Sequence, residues 1–382
     1  MATPVVTPPS QPIPEDATAT ITESPAPTAT PDEREPGWAL DSLLSWVLPP
    51  VQDLDKVLLV DVDRLSRQLD VDQDCSDDEA ISEYVVALTA SSFFLPQGWG
   101  DARVDGTAFE AEYGVSLCEV TAAADSQSVR RPYAWVVDVA QSDIVSALEA
   151  DPSWSDELTV ETYRGKEVFG WGNSPVGDLS RLSAARPGGF GGRVVLEGDV
   201  FVRSSNEREL VAVLDAQQDA STLASYESVQ ELVAYMDNSN AHTAIIYRSL
   251  EATLPNTIPG GIWESFEELD DAIAARPKLA PYEFFALVVG SDDEADAYSV
   301  AVLNTMAEDA LDNTERLRAV LEEGVRLNAG PDARWTDLTG EELRSETFGR
   351  LSLANFTAER DRERFLRIVQ GIDRDGLRWF ES

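Results

Sequence analysis

The chain has 382 residues with 70 acidic and 29 basic side chains, a formal net charge of −41. That charge excludes a nucleic-acid binder, which needs a basic face against phosphate, and it sets the chain against anionic membrane surfaces. An apolar fraction of 43% excludes wholesale disorder, and this length allows two or three domains with sizeable cores.

Residues 1–37 hold nine of the 21 prolines among many Thr, Ala and Ser. Such a stretch cannot bury a core, so it reads as a disordered Pro/Thr-rich linker. Linkers of this kind tether a folded domain to a membrane lipid or a cell wall. A membrane tether is expected here through an N-terminal anchor that the sequence as given does not include.

Folded sequence begins near Trp38. ALDSLLSWVLPP reads as a short amphipathic helix stopped by Pro49 and Pro50. VLLVDV (57–62) is a buried strand. Ser76 with Glu79 has the form of a capping box, opening a helix with Ile81, Tyr84, Val85 and Leu88 on one face. FEAEYGVSLCEV (109–120) reads as a strand with Cys118 near its end.

YAWVVDVA (133–140) predicts a strand and 142–150 a helix. LTVETYRGKEVFGWG (158–172) predicts a hairpin turning at Arg164 and Gly165, and GRVVLEGDVFVRSS (192–205) a second one turning at 197–199. Helices follow at 206–217 and 226–237, the latter with Val229, Leu232, Val233 and Met236 at helical spacing. TAIIYRSL (243–250) is a strand.

Beyond it, 264–275 reads as a helix with Phe266, Leu269 and Ile273. Strands at 283–289 and 297–304 flank the acidic turn GSDDEAD. A helix at 312–327 carries Leu317, Val320, Leu321 and Val325. TFGRLSLANF (347–356) reads as one strand ahead of a helix at 358–370 with Phe365, Ile368 and Val369.

The hairpins argue for an α+β fold: mainly antiparallel sheets with amphipathic helices packed on one face. The domains are a linker at 1–37, an α+β domain at 38–250, and a second α+β domain or a continuation of the same sheet at 251–382. DIVSALEA (143–150), ELVAVLDA (209–216) and RLRAVLEE (316–323) align without gaps, each after a strand. Duplicated strand–helix units give such a match, and so does the period of any amphipathic helix.

No run of 18 apolar residues is present, so no transmembrane helix is expected. Two cysteines and one histidine exclude the usual zinc sites. Cys75 and Cys118 are the disulfide candidate if the chain is exported, and two thiols if it is not. Asp70, Asp72 and Asp74 are the metal candidate, since D-x-D-x-D places three carboxylates on one side of a loop, as calcium requires. The EF-hand pattern then needs Gly at Cys75 and Glu at Ile81, and it has neither. The alternative is a solvated loop leading to a helix cap. Asp292, Asp293, Glu294 and Asp296 form a weaker acidic group.

The glycine run between Arg186 and Arg193 leads into a strand rather than a helix, so it reads as a loop between strands and not as a phosphate cradle. His242, the only histidine, precedes a strand, and no G-x-S-x-G elbow accompanies it. Of the nine Trp, Trp135 is expected in the core and Trp99 exposed. Only Lys56, Lys166 and Lys278 are lysine, and an acidic, Lys-poor surface suits high salt. The Arg-rich end from Arg344 to Arg378 suggests ion-pair networks, and Asn355-Phe356-Thr357 is a glycosylation sequon.

Four stretches carry a family likeness: LLSWVLPP followed by VLLVDVDRL, Tyr163 to Lys166, GDVFVRSSNERELVAVLDA, and TLASYESVQELVAYM before TAIIYRSL. Together they resemble a bacterial extracytoplasmic family of unknown function, often lipoproteins behind a Thr/Pro-rich linker. The resemblance covers about half the chain. It implies the compartment and the fold, and it brings no catalytic residues.

The expected function is therefore an extracytoplasmic, surface-tethered protein with a non-enzymatic binding or envelope role. Its partner would be an envelope protein or a glycan, with no nucleic acid and no cofactor beyond calcium. One alternative is a hydrolase using paired carboxylates, which 70 acidic side chains would hide. Another is a cytosolic salt-adapted protein.

Overall fold

The computed structural model of the chain describes residues 38–50, 56–91, 99, 106–126, 132–151, 154, 156–172, 177–183, 186–248, 263–291, 295–326, 329–340, 342–359 and 367–369. The linker assigned to 1–37, the acidic turn at 292–294 and Phe365 lie outside the described residues.

In chain order the first elements are α1 (Trp38–Leu44), β1 (Lys56–Asp61), α2 (Val62–Gln68), α3 (Asp78–Ser91), α4 (Gly106–Tyr113), β2 (Val120–Ser126), β3 (Tyr133–Val137) and α5 (Gln141–Ala150). Then come β4 (Thr159–Tyr163), β5 (Lys166–Trp171), β6 (Gly192–Glu197), β7 (Val200–Ser204), α6 (Glu207–Gln218), α7 (Glu227–Asn238) and β8 (Thr243–Arg248). The last are α8 (Phe266–Ala274), β9 (Tyr282–Ser291), β10 (Ala295–Asn304), α9 (Ala310–Glu323), α10 (Thr336–Thr339), β11 (Arg344–Phe348) and β12 (Leu351–Glu359).

The strands form one 12-stranded sheet in the order β11-β12-β10-β9-β8-β1-β2-β3-β7-β6-β5-β4. Every neighbouring pair is antiparallel. The fold is α+β, as the hairpins predict. β8 pairs with β9 from Thr243 opposite Val289 onward, so the sheet runs through the boundary placed at 250.

Helices cover both faces, not one. Leu58, Val60, Trp135 and Ile245 face one side, with Tyr84, Phe109, Ile144 and Leu317 from α3, α4, α5 and α9 packed on them. Val57, Leu59, Ala134 and Ile246 face the other, under Leu43, Leu214 and Leu232 from α1, α6 and α7. The sequence signal for this is the unbroken apolar run of β1, β3 and β8, because a strand buried on both sides has no polar alternation. The first side, rich in Trp, Tyr and Phe, is called the aromatic face below, and the second the aliphatic face. The three similar helices divide between them: α5 and α9 lie on the aromatic face and α6 on the aliphatic one.

Three local expectations need correction. Residues 109–113 belong to a helix, not a strand: Phe109, Glu112 and Tyr113 are buried at helical spacing, and Gly114 N–H closes the end on Glu110 O at 2.6 Å. Alternation at Phe109, Ala111, Tyr113 and Val115 imitates a strand, and the tertiary burial overrides it. Residues 347–356 are a hairpin rather than one strand, because Gly349, at φ +55, reverses the chain between β11 and β12. The cap of α3 is Asp77, whose carboxylate accepts Ala80 N–H at 2.9 Å, one residue after Ser76.

The outer strands carry the polar sequences TVETY and RSETF and are largely exposed. Charged, short edges of this kind resist pairing with another sheet.

Candidate functional site

α7 buries Val229, Leu232, Val233 and Met236 against the aliphatic face and ends at Asn238. Past that end Ala297 and Thr357 on the same face of the sheet are exposed. The face there changes from Ala301, Leu303, Leu351 and Leu353 to Ala297, Ser299, Asn355 and Thr357. These positions alternate along β10 and β12, so all point to the same side. The result is a groove of about 550 Å³, walled by Tyr235 and Ser239 on one side and by Glu342, Arg344 and Glu346 on the other.

Its polar groups are held in a chain of hydrogen bonds. Tyr235 Oη lies 2.8 Å from Ser299 Oγ and donates to Asn355 Oδ1 at 3.3 Å. Asn355 Nδ2 donates to Glu346 Oε1 at 2.6 Å. Register explains the assembly: Asn355 is opposite Ser299 on β10 and opposite Arg344 on β11. Burial pushes the Tyr235 phenol above its ordinary value, so it stays a neutral hydroxyl. An edge contact to Phe348, with centroids 5.7 Å apart, fixes its ring.

His242 is fully buried just ahead of β8. Its Nε2 is 3.2 Å from Ser291 Oγ and its Nδ1 2.8 Å from Thr243 Oγ1. Ser291 Oγ donates to Asp296 Oδ1 at 2.8 Å, and Tyr298 Oη donates to Asp296 Oδ2 at 3.2 Å. A Ser-His-Asp triad needs the carboxylate on the histidine nitrogen remote from the serine. Here a threonine hydroxyl meets that nitrogen, and the carboxylate accepts a hydrogen bond from the serine instead. The cluster therefore ties the ends of β8, β9 and β10 together rather than activating Ser291.

Cys75 and Cys118 form a disulfide, with Cα atoms 6.1 Å apart. It joins the segment before α3 to the short helical turn Leu117–Glu119 that leads into β2. Asp70, Asp72 and Asp74 are not brought together: among the described residues no group of three His, Cys, Asp or Glu side chains is arranged to hold a metal. Asp74 instead accepts Ser76 N–H at 2.9 Å, which lowers its carboxyl below the ordinary value.

The other candidates fall into structural places. The glycine run packs tightly: a Cβ on Gly192 would sit 2.1 Å from the Trp171 ring, and Arg186 is buried against Glu157. Trp99, expected outside, is 1% exposed and packs near Tyr84, with ring centroids 6.2 Å apart. Asn355, the sequon residue, lies within β12, where Oδ1 accepts from Tyr235 and one Nδ2–H donates to Glu346. Arg350, from the Arg-rich end, binds Glu227 and the Thr305 carbonyl. Sequence reasoning missed the groove. Its signal was present, since the apolar alternation of β10 and β12 breaks at Ser299, Asn355 and Thr357 on one face.

No family model matches the chain, and no curated protein matches it. Among solved structures it is similar to crystal forms I and III of TP0453. Both align over 86% of this chain and 96% of that one, at 10% identity, with TM-scores of 0.34 and 0.35.

Proposed function

We propose that this protein works outside the cytoplasm, held at the cell surface by its Thr/Pro-rich N-terminal segment, and that its role is binding or envelope assembly. The observation that carries the reading is the Cys75–Cys118 disulfide, which uses both cysteines of the chain. Disulfides persist in oxidising compartments and are rare in the cytosol. The resemblance to extracytoplasmic, lipoprotein-like proteins supports the same compartment. Among the described residues no helix is long and apolar enough to cross a membrane, so the reading places the tether in the N-terminal segment. The groove at the end of α7 supplies the surface for a ligand.

Protease added to intact cells of the native host tests this directly. Degradation of the protein while cytosolic markers survive is the expected result. Protection together with cofractionation in the cytosol would overturn it.

One observation favours a second reading. Glu342 and Glu346 line the same groove, and glycoside hydrolysis uses two carboxylates flanking a bound sugar. Release of reducing ends from a neutral polysaccharide, lost in Glu346→Gln, would establish that reading in place of the non-enzymatic one.

A further inference from the structure

We propose that the groove beyond α7 is a binding site for a neutral oligosaccharide, whose hydroxyls are met by Asn355, Arg344, Glu342 and Thr357. The proposal rests on the binding role argued above and names its ligand class.

The lining carries a hydroxyl from Tyr235, Ser299 and Thr357, an amide from Asn355, a guanidinium from Arg344 and carboxylates from Glu342 and Glu346. A sugar hydroxyl both donates and accepts. Planar amide, guanidinium and carboxylate groups present two such partners side by side, which matches adjacent hydroxyls on a ring.

Charge narrows the class further. Two glutamates in a chain of net charge −41 repel phosphate, sulfate and uronate groups. Arg344 opposes a cation at the same place. Among the described residues Arg344 makes no ion pair, so its donors are available to a ligand. A neutral ligand rich in both donors and acceptors satisfies this set.

The site is also prepared for its ligand. The Tyr235–Ser299–Asn355–Glu346 chain fixes the amide before anything binds, so little side-chain freedom is lost on association. Ala297 is exposed on the floor with no side chain beyond Cβ, which leaves room for a flat ring. A volume of about 550 Å³ suits a small ligand rather than a single ion. The polar groups lie on the face of the sheet, not along the outer backbone of β11, which favours a sugar over an added peptide strand.

The test is calorimetric titration of the full chain with cellohexaose, maltohexaose and chitohexaose. Two variants accompany it: Asn355→Ala, which removes the amide, and Ala297→Tyr, which fills the floor from an exposed position. Melting temperatures show that each variant remains folded. At least one probe binds the parent chain, and each variant weakens it by about tenfold or more. Absence of binding by all three probes, or binding that Ala297→Tyr leaves unchanged, overturns the assignment. The two readings fail separately. A surface-exposed, disulfide-bonded protein that ignores all three sugars keeps its compartment and loses its ligand class. A cytosolic chain with free thiols that binds one of them does the reverse.

Discussion

The two faces of the sheet are built from different residues and serve different ends. On the aromatic face Trp154 stacks on Trp171 at 4.8 Å, Tyr133 on Trp135 at 4.8 Å and Tyr247 on Phe285 at 4.6 Å. Charge is enclosed there as well: Arg203 Nε donates to Tyr113 Oη at 2.5 Å, and its guanidinium lies 5.5 Å from the Tyr113 ring centre. The disulfide and the His242 cluster sit on this side too. The aliphatic face uses Leu, Val and Ala under α1, α6 and α7, and where α7 stops it opens into the groove. Large rings fill space around irregular segments, whereas small residues let helices lie close and leave a recess when the helix ends. The aromatic face encloses the disulfide and most of the large rings, and the aliphatic one carries the groove.

Core truncation gives the largest contrast. Trp135→Ala removes a ring packed against Tyr133, Phe109 and Phe201, and thermal or urea unfolding should show a loss of about 3–5 kcal/mol. Leu232→Ala on the aliphatic face, a smaller side chain, should cost about 2–5 kcal/mol and less than Trp135→Ala. A larger loss at Leu232 would break the contrast between the faces.

The disulfide comes next. It closes a loop with a sequence separation of 43, so replacing both cysteines with alanine should lower stability by about 2–4 kcal/mol. Reduction alone should reproduce that drop in the parent chain.

Acid tests the carboxylates of β1 and of helices α1, α2, α3 and α6. Burial raises Asp61 and Asp63, and burial with the nearby Asp237 raises Asp41. A group raised in the folded chain contributes stability that is full below its unfolded value and lost as pH rises through its folded value. Asp78 and Asp215 are lowered by hydrogen bonds from Thr107 and from Tyr163 with Arg164, so their contribution is present above the unfolded value and lost as pH falls through the folded one. The melting temperature should therefore climb as pH falls through the raised carboxylates toward the ordinary carboxylate range near about pH 4, then fall as Asp78 and Asp215 protonate below it. Asp61→Asn keeps an acceptor for Arg64 N–H and should flatten the climb.

The smallest effect belongs to the groove. Asn355→Ala gives up hydrogen bonds at a partly exposed site and should change stability by about 1 kcal/mol or less. A loss as large as that of Trp135→Ala would mark Asn355 as part of the core.

Much of this architecture was legible in the residues. The hairpin at Arg164 and Gly165 follows from turn chemistry, and α7 from the spacing of Val229, Leu232, Val233 and Met236. What escaped was decided at long range. Helix α4 forms because Phe109 and Tyr113 meet Trp135 and Trp171 across the core, contacts that no local window contains. The groove depends on where α7 stops relative to strands more than 50 residues later in the chain. Small polar residues on a strand look the same whether a helix covers them or not.

The most direct test of the account is the intact mass of the protein taken from its native host, alkylated with and without prior reduction. Cys75 and Cys118 should take up alkylating agent only after reduction, on a chain with a processed or lipid-bearing N-terminus. Two thiols alkylated without reduction, on an unprocessed chain, would contradict it.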